Sequence, residues 1–115
     1  MKCIKAIIRP EKEDAVVRGL EAVSIVAMTR WDVLGRGRQR GIQIGGSTYG
    51  ELPKVCIMLI VDNAQVSLAV ETIMERAKTG NPGDGRIFVS AVQEAHTIRT
   101  GKAEKATESR VKRCD

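Results

Sequence analysis

The sequence predicts a single α+β domain in which two βαβ units form one antiparallel sheet with both helices on the same face. The chain has 115 residues, of which 43% are apolar, and this is enough for one core. A short apolar segment followed by an amphipathic segment occurs twice along the chain. A glycine-rich stretch, residues 35–51, joins the two repeats. This order of segments is typical of a ferredoxin-like fold.

The first repeat consists of an apolar strand, an amphipathic helix and a second strand. Residues 3–8 are rich in isoleucine and predict the first strand. Pro10 follows in the first helical turn, where a residue without an N–H is well tolerated. Val16 and Leu20 lie one helical turn apart, so one side of this helix is expected to be buried. Residues 25–34 then predict the second strand.

The second repeat has the same order of elements. Residues 52–61 predict a buried strand, and Asp62 with Asn63 provides a cap for the following helix. Apolar residues recur at helical spacing through that helix, which Gly80 is expected to end. Residues 86–92 return as a strand and complete the predicted sheet.

The strand in the second repeat is apolar at both odd and even positions over residues 55–61. A sheet with one face in water should instead alternate apolar and polar side chains. Because two helices can cover only one face, the other apolar face is expected to be covered by another chain. The sequence therefore predicts a homo-oligomer. The alternative is an interior strand whose far face is simply somewhat apolar.

Near residue 100 the composition becomes that of a solvated tail. The folded domain is assigned to residues 1–100, with a long loop at residues 36–52 and a short edge strand at residues 97–99. Residues 101–115 contain five basic and three acidic side chains and almost no large apolar ones. This composition predicts a basic, mobile extension, with a dedicated docking arm as the alternative.

The net charge of +5 favours an anionic partner. Phosphate, carboxylate and nucleic acid are all compatible with this charge. However, Trp31, Tyr49 and Phe88 are the only aromatic residues of the chain. Three aromatic residues are few for a surface that stacks on unpaired bases, so single-stranded nucleic acid is disfavoured.

Catalytic machinery is difficult to assemble from this sequence. His96 is the only histidine, and no Ser/His/Asp arrangement, Cys/His arrangement or diagnostic carboxylate pair occurs. The three cysteines are odd in number and show neither CxxC spacing nor a nearby histidine cluster, which indicates a reducing compartment. No apolar run approaches the ~20 residues of a membrane-spanning helix. We therefore expect a soluble cytoplasmic protein, with an enzyme as the least favoured class.

Two segments have the composition of an anion-binding site. In residues 79–86, four glycine or proline residues force a tight turn that gathers backbone N–H groups, and Arg86 adds a positive charge. An ordinary helix-to-strand turn is the alternative. In residues 35–41, three arginines alternate with small or polar residues, so an extended backbone would place them on one side. Lys54 and Arg99 supply further cations.

Several separated segments match one family pattern in order along the chain. They are residues 1–2, 6–10, 27–29, 35–41, 52–55 and 79–89. Together these segments resemble the PII signal-transduction family over nearly the whole of the first 101 residues. The resemblance implies a homotrimer of ferredoxin-like subunits in which ATP and ADP compete for clefts between neighbouring subunits.

The resemblance also implies which residues contact ligands. At the nucleotide they are Thr29 near the adenine, Gly35, Gly37, Arg38 and Gln39 at the base of the long loop, Gly83, Asp84, Gly85 and Arg86 at the phosphates, and Arg99. In members that sense 2-oxoglutarate, Gln39 helps to hold the Mg²⁺ of bound ATP. Lys54 and the loop-base backbone around Gly41 receive the effector. Met58 and Thr97 replace an acidic residue and an arginine of the family pattern, which predicts weaker nucleotide binding.

The short loop and the C-terminal residues 97–101 are most similar to the NifI branch of this family. Members of that branch bind the dinitrogenase component during ammonia switch-off and block electron delivery from its reductase partner. 2-Oxoglutarate with ATP relieves this block. They commonly act as a pair of related chains, of which this one resembles the first. The loop residues expected to contact the partner are Ile42, Ile44, Tyr49 and Glu51.

The resemblance therefore predicts a nucleotide- and 2-oxoglutarate-responsive regulator of nitrogenase without chemistry of its own. The first alternative stays in the same family and changes the target to an ammonium transporter that the loop would plug. The second alternative, from a different class, is a small RNA-binding ferredoxin-like domain, which would bind RNA in a strongly salt-dependent manner.

Overall fold

The structure, a computed structural model, describes residues 1–36, 42–44, 47–49 and 51–105. In order, the described residues form β1 (Lys2–Ile8), α1 (Glu13–Ala22), β2 (Thr29–Gly35), β3 (Ile42–Ile44), β4 (Ser47–Tyr49), β5 (Leu52–Val61), α2 (Val66–Ala77), β6 (Arg86–Ala91), β7 (Glu94–His96) and β8 (Ala103–Lys105). Short 3₁₀ turns, Pro10–Lys12 and Asn63–Gln65, lead into the two helices. Neither α1 nor α2, the helices of this described part, is long and apolar enough to cross a membrane.

Four of the strands form one sheet in the order β2, β5, β1, β6, and every neighbouring pair is antiparallel. Within it, Ile4 of β1 lies opposite Leu59 of β5 and Val89 of β6. Each helix connects two strands that have a third strand between them, which is the split βαβ arrangement. The predicted α+β fold with an antiparallel sheet is confirmed.

The core lies between the two helices and one face of the sheet. Val16 and Leu20 of α1, predicted to be buried, are both 0% exposed. They pack against alternate residues of β1 and β5, which point to the same side of the sheet. The buried cluster consists of Ile4, Ala6, Ile8, Val16, Leu20, Ile25, Val55, Ile57, Leu59, Val61, Ala69, Ile73 and Ala77.

Each predicted helix start falls on a 3₁₀ turn, and the α-helix itself begins directly after that turn. Pro10 lies in the turn that leads into α1. Ahead of α2, Asp62 and Gln65 form a reciprocal capping box, in which the Asp62 N–H donates to Gln65 Oε1 at 3.1 Å. The predicted cap at Asp62 is therefore confirmed.

The second strand begins at Thr29, four residues later than the prediction that starts it at Ile25. Ser24 takes a positive φ of 65° after α1, and the Ile25 N–H donates to the Leu20 carbonyl at 2.9 Å. The Ile25 side chain is only 5% exposed and belongs to the core. Its apolar character therefore reflects core packing and not strand pairing.

The C-terminal region differs most from the prediction. The predicted edge strand at residues 97–99 is wrong, because these residues lie in the connection of a hairpin between β7 and β8. The Thr97 N–H donates to the Lys102 carbonyl at 2.8 Å, and the Gly101 N–H donates to the Thr97 carbonyl at 2.7 Å. Regular structure therefore continues to Lys105, inside the segment predicted to be a mobile tail.

The sheet face opposite the helices also carries large apolar side chains. Met58 and Ile60 of β5 point to this face, and the strand register places Trp31 and Phe88 on it as well. Ile60, Trp31 and Phe88 are 48%, 40% and 52% exposed. Neither helix of the described residues packs on this face, which we call the open face. The prediction that β5 is apolar on both sides is confirmed, while the oligomer stays a prediction.

Candidate anion-binding site

The turn between α2 and β6 has a backbone that glycine adopts most readily. Gly80, Gly83 and Gly85 have φ values of 88°, 101° and 102°. A Cβ on Gly85 would lie only 1.7 Å from the carbonyl oxygen of Ile7, so the turn packs directly against the end of β1. The tight turn predicted at residues 79–86 is therefore confirmed.

The Asp84 carboxylate closes this turn from within. Its Oδ2 accepts hydrogen bonds from the N–H groups of Thr79 and Gly80, both at 2.9 Å, and its Oδ1 accepts one from the Thr79 hydroxyl. These N–H groups do not continue α2, which therefore ends at Ala77 and not at the predicted stop, Gly80. The bonds from Thr79 and Gly80 hold the pKa of Asp84 well below its usual value, so the carboxylate is ionised at neutral pH.

Arg9, directly after β1, joins that strand to the turn. Its Nε donates to Asp84 Oδ1 at 3.1 Å, and its Nη2 donates to the Pro82 carbonyl at 2.8 Å. The Arg9 and Asp84 side chains are 23% and 24% exposed, so this ion pair is partly shielded from water. Arg9 therefore contacts the turn on both sides of Gly83.

Arg9 is a site residue that the sequence analysis missed, because its place before Pro10 assigns it to the start of a helix. One signal could have found it. A split βαβ sheet places its first strand beside its last, and the structure puts Ile7 of β1 opposite Arg86 of β6. In an antiparallel pair, residue 9 must then lie beside the residues that precede Arg86.

Lys54 is the buried cation of the site. It is 9% exposed, and its Nζ donates to the Gly83 carbonyl. Burial lowers the pKa of Lys54, and the nearby Arg9 lowers it further, while Glu11 and Asp84 act in the opposite direction. The Lys54 ammonium therefore releases its proton at a lower pH than a lysine in open water does.

The base of the long loop reaches the same place. Gly35 ends β2, and a Cβ on it would lie 3.1 Å from Cγ of Lys54. Because Lys54 bonds to Gly83, the loop base, the buried cation and the turn converge. Arg86 follows the turn as an exposed cation, with its guanidinium carbon 5.6 Å from the centre of the Phe88 ring.

Thr29 and Arg99, two other predicted nucleotide residues, lie on other elements of the fold. Thr29 begins β2 and is six residues from Gly35, which is ~20 Å along an extended strand. It borders an open recess lined by Glu13, Met28, Thr29, Arg30, Trp31 and Asp32. Arg99 is exposed in the β7–β8 connection, and no described hydrogen bond or ion pair joins it to the turn at residues 79–86. A single chain therefore gathers only part of the predicted nucleotide site.

Other predicted residues lie outside the described residues or are described only by their backbone. Those outside are Gly37, Arg38, Gln39 and Gly41. Ile42 and Ile44 lie in β3, which pairs with β4 so that Ile42 is opposite Tyr49. Glu51 is exposed just before β5. The long loop thus contains a short hairpin, and the ligand and partner roles of these residues stay predictions.

Residues 1–102 match the family model described as nitrogen regulatory protein P-II. The nifHD1-region GlnB-like protein 1 of Methanosarcina barkeri is 48% identical over 102 residues, which cover 89% of this chain and 97% of that relative. The corresponding nifHD-region protein of Methanococcus maripaludis is 48% identical over 100 residues, covering 87% and 95%. The nitrogen regulatory protein P-II 2 of Methanothermobacter thermautotrophicus is 48% identical over 109 residues, covering 91% and 95%.

These matches span all the strands of the sheet, both helices and the turn that carries the site. The resemblance drawn from short segments is confirmed, including its likeness to the nitrogen-fixation branch. The chain therefore belongs to the nitrogen regulatory protein P-II family, and its relatives include proteins named for nitrogen-fixation gene regions.

Proposed function

We propose that this protein binds ATP or ADP and 2-oxoglutarate and regulates nitrogenase by direct contact in response to ammonia. The observation that carries the proposal is the convergence of Gly35, Lys54 and Gly83. In this proposal they belong to the base of the partner loop, the effector site and the phosphate turn. A ligand that moves one of these residues therefore acts on the other two.

The charges at this convergence favour a polyanion. Arg9, Lys54 and Arg86 are cationic, and Asp84 is the carboxylate that pairs with Arg9. Three cations against one carboxylate leave the net charge of these four side chains positive, and Asp84 is already engaged by the N–H groups that close the turn. Because Lys54 is buried, its attraction for phosphate or carboxylate is less weakened by water than that of a surface lysine.

The separation of the predicted nucleotide residues supports a cleft between subunits. Gly35, Gly83 and Arg86 lie at one end of the sheet, whereas Thr29 lies at the other end of β2 and no described bond joins Arg99 to the turn. A second copy of the chain would bring its own Thr29 and Arg99 to this end and complete the site. The apolar open face provides the surface for such an assembly, which we propose to be the homotrimer implied by the family.

The effector site would combine Lys54 with loop-base groups. In our proposal Gln39 holds the Mg²⁺ of bound ATP, and Lys54 with the backbone around Gly41 binds the carboxylates of 2-oxoglutarate. Among the described residues, no group of three or more His, Cys, Asp or Glu side chains could hold a metal ion. The Mg²⁺ would thus need phosphate oxygens as further ligands, and this would make effector binding depend on ATP.

The proposed target is the dinitrogenase component of nitrogenase. The loop that contains β3 and β4 would make the contact through Ile42, Ile44, Tyr49 and Glu51. Ligands would shift this cytoplasmic regulator between loop states that do and do not bind the target, with a coupling of ~1–3 kcal/mol. The relatives named for nitrogen-fixation regions support this target, and a second P-II-like chain is proposed to take part.

Calorimetry tests the ligands. We expect 2-oxoglutarate to bind in the presence of Mg-ATP and to bind at least ~10-fold more weakly in Gln39→Ala, because the metal that bridges effector and nucleotide loses a ligand. Gln93→Ala is the matched control, since Gln93 is an exposed glutamine outside the site. Undetectable binding to the wild type, or equal binding in Gln39→Ala, would contradict the effector assignment.

Reconstitution tests the target. Added protein with ADP is expected to inhibit electron delivery to the dinitrogenase component, and 2-oxoglutarate with Mg-ATP is expected to restore it. If the proposed second chain is required, the inhibition appears only when both chains are present. Capture of an ammonium transporter, with no effect on dinitrogenase alone or with the second chain, would replace the proposed target with the alternative one.

A further inference from the structure

We propose that Arg9 is a positioning residue for anion binding, which aims the Gly83 N–H of the turn at the ligand through the Pro82 carbonyl. This inference rests on the proposed function for the identity of the ligand. Its geometry consists of two contacts, from Nε to Asp84 Oδ1 at 3.1 Å and from Nη2 to the Pro82 carbonyl at 2.8 Å. A Cβ on Gly83 would lie 3.2 Å from Arg9 Nη2, so the guanidinium group also lies directly against that glycine.

The planarity of the peptide bond connects these contacts to the ligand. In a trans peptide, the carbonyl of one residue and the N–H of the next point in opposite directions. The Pro82 carbonyl faces Arg9, so the Gly83 N–H points away from Arg9. The Gly83 carbonyl faces Lys54, so the Asp84 N–H points away from Lys54 in the same manner.

The N–H groups of Gly83 and Asp84 are available to an acceptor. Among the described residues, neither of them donates a hydrogen bond within the chain, whereas the N–H groups of Thr79 and Gly80 are both used by Asp84. Successive N–H groups in a turn that contains positive φ angles form a concave site for an anion. Arg9 and Lys54 therefore each orient one donor of such a site.

An orienting contact is needed because this turn is intrinsically loose. Three of the six residues from 80 to 85 are glycines, which have more backbone conformations available than any other residue. Without Arg9, the Pro82–Gly83 peptide would rotate among several of these conformations. An anion would then have to order the turn at the cost of its own binding free energy.

The test compares nucleotide affinity in the wild type, Arg9→Met and Arg9→Lys by calorimetry, with Arg18→Met as the control. Arg18 is an exposed arginine on α1, outside the site. We expect Arg9→Met to weaken ADP and Mg-ATP binding about tenfold, Arg9→Lys to recover part of that loss, and Arg18→Met to bind within ~2-fold of the wild type. The midpoint of thermal unfolding should change far less than after a core substitution.

Salt separates positioning from direct attraction between charges. The Debye length falls from about 10 Å at 0.1 M to about 3 Å at 1 M ionic strength, so a direct charge effect shrinks. We expect the ratio of wild-type to Arg9→Met affinity to be the same at both concentrations. A ratio that approaches one at 1 M salt, together with full recovery in Arg9→Lys, would show that Arg9 acts by its charge and would overturn the inference.

Hydrogen exchange tests the inference even if the wild type binds no nucleotide, which would reject the proposed function alone. Arg9→Met should then speed exchange of the Thr79 and Gly80 N–H groups relative to the wild type, because Asp84 loses the partner that fixes it. Exchange within α1 should be unchanged. If Arg9→Met does not fold, Arg9→Lys replaces it in both measurements, with a smaller change in the same direction. Equal exchange at Thr79 and Gly80 in variant and wild type would overturn the inference.

Discussion

Among the residues of the site, Gly85 has the least room for a side chain. Its φ of 102° disfavours any residue with a Cβ, and the space that a Cβ would occupy is taken by the Ile7 carbonyl. Gly80 has a similar φ of 88°, but nothing lies within 4 Å of the place where its Cβ would be. The two glycines therefore separate the cost of the backbone conformation from the cost of a steric clash.

Gly85→Ala is expected to lower the free energy of unfolding by at least ~3 kcal/mol, because strain in the backbone adds to the displacement of the turn from β1. Gly80→Ala should cost only ~1–2 kcal/mol, since it meets the backbone penalty alone. Chemical denaturation of both variants, followed by circular dichroism, measures this difference. Equal losses in the two variants would mean that the turn moves away from Ile7 without cost.

Lys54 gives the proposed effector site a pH dependence. Burial first, and Arg9 second, lower the pKa of Lys54 from its usual value of 10.5. As the pH rises, Lys54 therefore loses its charge earlier than an ordinary lysine does. Deprotonation removes the attraction for a carboxylate, so 2-oxoglutarate affinity should fall as pH rises through this lowered pKa. In Lys54→Arg the guanidinium stays charged, so that fall should be absent. Calorimetry with Mg-ATP from pH 7 to about 9.5 checks both curves, and parallel curves would argue against Lys54 as the effector cation.

At the scale of the elements, apolar periodicity predicted the strands of the central sheet and the two helices that cover it. The strands at β1 and β5 and the buried side of α1 follow from apolar spacing, and the cap at Asp62 follows from its side chain. The start of β2 could not be predicted in this way, because Ile25 is as apolar as a strand residue but packs in the core. β7 and β8 have three residues each, too few for a periodic pattern to appear.

The elements also explain which parts of the site the sequence could predict. Gly83 and Gly85 were predicted as turn residues because glycine has a direct conformational meaning. Arg9 was missed because its function depends on a contact between residues 75 positions apart, which only the sheet order brings together. From the sequence alone Lys54 was recognised only as a further cation, and its effector role came from the family resemblance, since nothing in its local sequence shows that its Nζ reaches the Gly83 carbonyl.

At the scale of the whole molecule, one proposed assembly would explain both the open face and the separation of the predicted nucleotide residues. The sheet is apolar on both sides, but the described helices cover only one. Thr29 lies ~20 Å along β2 from Gly35, and no described bond joins Arg99 to the turn, so one chain gathers only part of the predicted nucleotide site. An assembly that buries the open face and brings Thr29 of one copy toward Gly83 of the next would account for both observations.

Ile60→Glu tests this assembly. Ile60 lies on the open face and is 48% exposed in the single chain, so a carboxylate there would be buried without a partner in an oligomer. Leu68→Glu is the matched control, because Leu68 is 44% exposed but lies on α2. Light scattering after size exclusion should give three times the 12.6 kDa chain mass for the wild type and for Leu68→Glu.

Ile60→Glu should give the mass of a single chain and should lose nucleotide binding with it, since the cleft requires two copies. A trimer that persists in Ile60→Glu would place the subunit contacts elsewhere, and a monomer that still binds ATP as tightly as the wild type would place the whole nucleotide site within one chain.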